Sequence, residues 1–374
     1  MKRLIVSVGL SLLSGVGVAV ADPLKSEGGT QGATDLLAAQ RKDALPHFVR
    51  SNVLFDATPF NVQGITEGGL VYGTVYVPSQ EFPYYLSLAD RVLRPIAVPE
   101  GVSYCQVSVM REGAGGLRAL ISTPWAQYVS AGDRVTAVPA APSGYTQDFH
   151  DLNSYEILLG TQYSSATYES IPVIGLGGRV FRIADLLDRS QPQPQITLRY
   201  GLAINEQAQI LLVGGDASGS RLVLATPGEG GFRLTVLPAE LSQPEQAFSA
   251  RLNNLGEVLG LQAVDPDGGG MQHRIFVWSP QRGAAIVQRP IEGYSFDIGG
   301  FNDRGEVLIN AYLGMGESST WLWNSRTDEI ADLDELIDDF YGPHEDLGWG
   351  LTGLTNKGHI VSRNFGNVLL LPRR

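Results

Sequence analysis

Side chains able to do acid–base or metal chemistry are few and scattered in this 374-residue chain. The 5 histidines are His47, His150, His273, His344 and His359, and no two stand at metal-ligand spacing. No G-x-S-x-G elbow, H-E-x-x-H helix or P-loop occurs. Three stretches do gather reactive groups. DPDGGG sets Asp265 and Asp267 two apart before glycines, as at the opening of a Ca²⁺ loop. It lacks the later Glu ligand, and a polar turn between two strands is the plainer reading. DLDELIDDFYGPHEDLGWG, from Asp332 to Gly350, brings Tyr341, His344 and Trp349 among carboxylates. Acidic groups beside aromatic rings suit a sugar, a cation or a basic peptide; a short solvated helix over LDELIDDF is the structural alternative. GYTQDFHDLN, from Gly144 to Asn153, carries Tyr145, Asp148 and His150.

The elements that must position these groups are short strands. EVLGLQAV, HRIFVWS, LRALIST and RLVLAT are rich in β-branched, aliphatic and aromatic residues and are separated by turn residues. No long stretch keeps a helical period. The segment around Asp35–Lys42 suggests a turn or two of helix.

One of these stretches recurs. RLNNLGEVLG, from Arg251, has counterparts in GITEGGLVYG, DLNSYEILLG, LAINEQAQILLVG, GFNDRGEVLIN and GLTNKGHIVS. Each reads as an apolar residue, then Asn, a short turn, a polar residue and a strand. Asn153, Asn205, Asn253, Asn302 and Asn356 are assigned the shared place, with Thr66 in the first copy. Asn can bond its own nearby backbone, and the following Gly accepts a positive φ. A third strand follows in each copy, and a fourth in most. The gap between Thr66 and Asn153 holds one degenerate copy around SYCQVSVMREGAGGLRALIST.

Four-stranded units at this period define the blades of an all-β propeller, and the count gives seven. Six or eight blades, stacked sandwiches and a solenoid are the competing arrangements. The last unit lacks a fourth strand, while SNVLFDATPF precedes the first. Val53–Ala57 is therefore expected to pair with Asn367–Leu371 and close the ring. Domain limits are a leader over 1–21, a flexible segment over 22–49 and a single propeller over 50–374.

The repeated Asn-turn-Gly-Glu-Val stretch followed by an aromatic-Trp strand resembles the bacterial HAF repeat of exported proteins. ARLNNLGEVLG with RIFVWSP, and GGFNDRGEVLI with STWLWNS, carry the resemblance best. It covers residues 200–374 well and 60–160 loosely. Unit four departs with Ala208 at the turn Gly, and units three and seven read as one residue shorter. The resemblance implies an extracellular or periplasmic propeller and transfers no catalytic residue.

The compartment is also readable from the start of the chain. Lys2 and Arg3 precede an apolar run ending in Ala19-Val20-Ala21, the pattern of a cleaved secretory leader. Losing it leaves 25 basic against 39 acidic residues, which disfavours nucleic-acid and anionic-membrane partners. A lone Cys105 allows no internal disulfide and no Cys zinc site.

These features lead to an exported, periplasmic or secreted, non-catalytic monomer. Its mature chain has no membrane span, and it binds a protein or glycan through loops on one propeller face. No cofactor is expected, Ca²⁺ at Asp265 and Asp267 being the one metal the sequence offers. Tyr145, Asp148, His150, Asp265, Asp267, Tyr341, His344 and Trp349 are the candidate binding residues on that face. The rival is a lyase or hydrolase. It requires His150 or His344 within hydrogen-bond reach of a carboxylate at the channel mouth. A purely structural envelope component is the third reading.

Overall fold

The computed structural model describes residues 45–52, 60–77, 79–241, 250–264, 272–286, 295–314, 317–337, 351–362 and 368–373. They form seven four-stranded antiparallel sheets arranged as a ring of blades. In blades one to six the strands follow chain order from the inside outwards. The inner strands are Phe60–Ile65, Gln106–Gly113, Tyr145–Leu152, Thr197–Ile204, Arg251–Leu252 and Ser295–Phe301. Blade seven takes Leu351–Leu354, Ile360–Ser362 and Val368–Pro372 from the C-terminal end. Phe48–Asn52 is its outermost strand.

Ring closure therefore takes the form the sequence suggests, with a different segment. Phe48 pairs with Pro372 and Asn52 with Val368. The expected segment, 53–57, lies outside the described residues. Burial explains the choice: Phe48 is fully buried with Leu45, Leu351, Leu354, Ile360 and Leu370. Phe48–Asn52 is thus anchored by an aromatic ring that Val53–Ala57 could match only with Phe55.

Each core cluster spans neighbouring blades, because a lone sheet leaves an apolar face uncovered. Leu259, Leu261, Ile275 and Val277 of blade five pack against Ile298, Val307, Ile309 and Trp323 of blade six. The Trp of the repeated third strand is thus core: Trp323 and Trp278 are both buried. The second strands read as continuous apolar runs because they are covered on both faces, as in Ile210–Val213.

The inner strands share a bulge. Register slips at Gln63, His150, Leu202 and Gly299 in blades one, three, four and six. Each lies three residues before the Asn or Thr of the following turn. Bulges at one depth bend and twist inner strands alike, which suits a ring.

Candidate binding face

Every inner strand runs from one end of the ring, where strands two and three are joined, to the other, where the repeated turns lie. The two ends are built differently.

At the turn end the Asn is both a local and a long-range lock. Asn253 Oδ1 accepts the N–H groups of Leu255 and Glu257 at 3.1 and 2.9 Å. Its Nδ2 donates to the Asn302 carbonyl of the next blade at 3.1 Å. Asn153 reaches Asn205 O, Asn205 reaches Asn253 O, and Asn302 reaches Thr355 O in the same way. All four Asn are buried and have both amide ends used. The fifth is a correction. Thr355, not Asn356, holds the shared place, with its Oγ1 accepting His359 N–H at 3.1 Å. Counted from Thr355, the turn of blade seven is as long as the others. Blade three also matches, since Glu156 takes the left-handed position at φ 62°. Ala208 does so at φ 56°, where blade five has Gly256 at φ 75°.

Asn356 belongs to a second circuit, one residue further along each turn. Ser154 N donates to Glu206, Glu206 N to Asn254 Oδ1 at 3.1 Å, and Asn254 N to Asp303 at 2.7 Å. Asp303 N then donates to Asn356 Oδ1 at 2.6 Å, and Asn356 N to Glu67 at 2.7 Å. Gly68 N passes the chain to Glu112 of blade two at 2.8 Å. Between blades two and three the link is Arg111 to Asp151 at 3.0 Å. Burial holds the Glu67 carboxyl above its ordinary range, against the lowering by Asn356 N–H, and the Asp303 charge adds to the rise. Glu206, Asp303, Glu67 and Glu112 are thus spent on neighbouring blades, while Glu257 and Glu306 bond Asn253, Arg282, Asn302 and Arg304 of their own.

The loop end is different. Among the described residues six aromatic side chains are exposed, Tyr76, Tyr104, Trp125, Tyr155, Tyr163 and Tyr168, and of these only Tyr155 stands at the turn end. The other five lie along blades one to three. Trp125 is 93% exposed and Tyr168 is 89% exposed. Both tips are held firmly. Thr123 Oγ1 accepts Ala126 N–H at 2.9 Å while Thr123 N donates to Ala126 O at 2.9 Å, fixing the bend that carries Trp125. Tyr168 sits at φ 56° with its N–H on Ser164 O at 2.9 Å. A side chain in that region costs about 1–2 kcal/mol, so the tip is over-determined by its bonds.

Tyr163 and Tyr200 bring their rings to 6.5 Å across blades three and four. Burial pushes the Tyr163 phenol up, and the nearby Asp148 charge and Tyr200 add to this. Beside them, Gln195, Thr197, Arg199, Asp216 and Ser218 line an open polar groove of blade four.

The sequence-predicted residues divide accordingly. Tyr145 and Asp148 lie on the inner strand of blade three, Tyr145–Leu152, which starts at the loop end. The Arg182 guanidinium lies over the Tyr145 ring at 5.8 Å. Asp148 accepts from Gln127 Nε2 of blade two at 3.1 Å. His150 is the bulge residue, deeper towards the turns, and its buried Nε2 has no hydrogen-bond partner among the described residues. Asp265, Asp267, Tyr341, His344 and Trp349 lie outside the described residues, as does the region around Asp35–Lys42. The expected helix begins as a 3-10 turn over Leu333–Leu336, and beyond 337 it too leaves the described residues. Sequence reading missed Tyr76, Tyr104, Trp125, Tyr163 and Tyr168. TPWA, a Trp after Pro in a turn, was the available signal for Trp125.

Among the described residues no group of three His, Cys, Asp or Glu is placed to hold a metal ion. No helix there is long and apolar enough to cross a membrane.

No family model matches the chain. No curated protein matches it at a significant level. Solved structures do share its architecture. A puromycin hydrolase is 15% identical with a TM-score of 0.53, covering 86% of this chain and 53% of its own. An oligogalacturonate lyase in complex with manganese is 10% identical with a TM-score of 0.52, covering 84% of this chain and 89% of its own. YCF48 bound to a D1 peptide is 12% identical with a TM-score of 0.49, covering 89% and 97%. The chain thus spans about half the length of the puromycin hydrolase. The seven sheets make this a seven-bladed β-propeller related in structure to other propellers, and fold alone does not select a function.

Proposed function

We propose that this is an exported, non-catalytic propeller that holds a protein or glycan partner on its loop end, and that it is kin to the HAF-repeat proteins. The carrying observation is the division between the two ends. Among the described residues, five of the six exposed aromatic side chains lie at the loop end, whereas many polar groups of the turns are bonded within their turn or to the next blade. Large exposed rings on fixed loops of a rigid scaffold are the usual material of recognition. Export rests on the basic, apolar, Ala-x-Ala leader. The rival enzyme reading needs His150 or His344 against a carboxylate; His150 Nε2 is buried without a hydrogen-bond partner among the described residues, and His344 lies outside them.

The test is a thermal-shift screen of the mature chain against glycans, peptides and divalent metals. A ligand at a hundred times its Kd stabilises by about 2.7 kcal/mol. The expected result is a shift with a glycan or peptide that disappears when Trp125 and Tyr168 are replaced by Ala. A shift that survives those replacements and is abolished by changing the turn end would overturn the proposal.

A further inference from the structure

Resting on that reading, we infer that the occupant of the loop end is a neutral oligosaccharide or polysaccharide chain, stacked on Trp125 and Tyr168. The two rings project from the strand-two-to-three loops of adjacent blades, on the same end of the ring. Tyr163 lies on the strand that leads into the Tyr168 loop, and Tyr104 enters blade two at the same end. These exposed rings therefore stand at one end of neighbouring blades, as an extended ligand requires.

The chemistry around them selects the class. A protein interface has a contiguous, desolvated apolar centre. Here Trp125 and Tyr168 stack on no other ring among the described residues, and Tyr163 meets only Tyr200. Tyr168 is flanked in the chain by exposed Thr167 and Glu169, and Thr146 and Asp148 are exposed on the inner strand of the same blade. A sugar has an apolar C–H face and a rim of hydroxyls, so it matches a ring face flanked by hydroxyl and carboxylate groups. The charges select further. Asp148 and Glu169 stand at this end with Arg182, which lies over Tyr145, and the whole chain has a formal net charge of −12, which disfavours a polyanion. The Thr123 bonds and the left-handed Tyr168 hold both rings in place before binding, which lowers the ordering cost of recognition.

The experiment is affinity gel electrophoresis of the mature chain. Separate gels carry a neutral β-glucan, a neutral mannan, a starch and the polyanion polygalacturonate. Trp125→Ala and Tyr168→Ala are run beside wild type, with their Tm values measured. Retardation is expected in at least one neutral gel and not in the polyanion. Each variant should weaken it at least fivefold with Tm unchanged. No retardation by any neutral polysaccharide overturns the inference, as does retardation that neither variant alters. The two readings fail separately. If a peptide shift depends on Trp125 while no polysaccharide retards the chain, the glycan inference falls and the loop-end proposal stands. If a polysaccharide binds without either ring and the turn end proves to hold it, both fall.

Discussion

The turn end and the loop end of this propeller are made from the same seven sheets and solve opposite problems. At the turn end, residues of one blade are matched to the next by a repeated Asn and by a second circuit of side chains. Donors meet acceptors around the ring, and few groups are left for anything else. At the loop end, connections differ in length and composition from blade to blade, and large rings face water. The contrast shows where uniformity in a repeat protein comes from. It follows the contacts that recur between every blade and its neighbour, and it lapses where contacts such as Gln127 to Asp148 or Tyr163 to Tyr200 belong to one pair of blades only.

The largest way to break that contrast is to remove one lock. Asn253→Ala leaves the N–H groups of Leu255 and Glu257 and the Asn302 carbonyl without their partner. Each stranded buried group costs about 1–3 kcal/mol. A loss of about 3 kcal/mol is expected in denaturant unfolding, with ligand binding by the folded variant unchanged. Replacing Trp125 should do the reverse, leaving unfolding within about 0.5 kcal/mol of wild type while binding falls.

A smaller effect sharpens the turn end. Ala208 holds the left-handed conformation that glycines occupy in other blades. Ala208→Gly should raise stability by about 0.5–1 kcal/mol, because the strain relieved exceeds the added freedom of the unfolded chain. No gain would mean that the blade-four turn is relaxed by its neighbours.

The smallest effects are in pH dependence, and they have opposite signs. The hydroxyl and N–H of Ser190, with Arg233, hold the Asp188 carboxyl below its ordinary range. Its contribution is present above the ordinary carboxylate pKa and is lost as pH falls through the lowered value. Glu67 is raised mainly by burial. It favours the folded state when protonated, below the ordinary range, and that advantage is lost as pH rises through the raised value. Asp188→Asn should flatten the acid side of a stability–pH curve, and Glu67→Gln the side just above it. Identical curves for wild type and both variants would contradict these assignments.

Much of the fold was legible because its cause is local and repeated. The turn Asn, the glycine after it and the apolar second strand recur in sequence since every blade needs them, so blade number and ring closure could be counted. The misplacements have physical reasons too. Thr355 can accept a turn N–H through its hydroxyl as Asn does, so the adjacent Asn356 drew the assignment. The closing strand was placed five residues late because burial of Phe48 depends on a partner at the far end of the chain. Asn153 and its equivalents could be read as turn formers, but their reach to the next blade could not, since it joins residues about fifty apart. The proposed binding face was less legible. Tyr145 and Asp148 were placed at the correct end by topology, whereas Trp125 and Tyr168 carry no motif. Their significance is exposure, a property of the folded ring.

The central claim is that the two ends divide stability from recognition. It is tested most directly by comparing exposed apolar groups at both ends in one binding assay. Trp125→Ala/Tyr168→Ala removes rings from the loop end, and Tyr155→Ala/Leu255→Ala removes exposed groups from the turns. Retardation in a neutral-polysaccharide gel should be lost in the first double variant and kept in the second. Loss in the second with retention in the first would contradict the account.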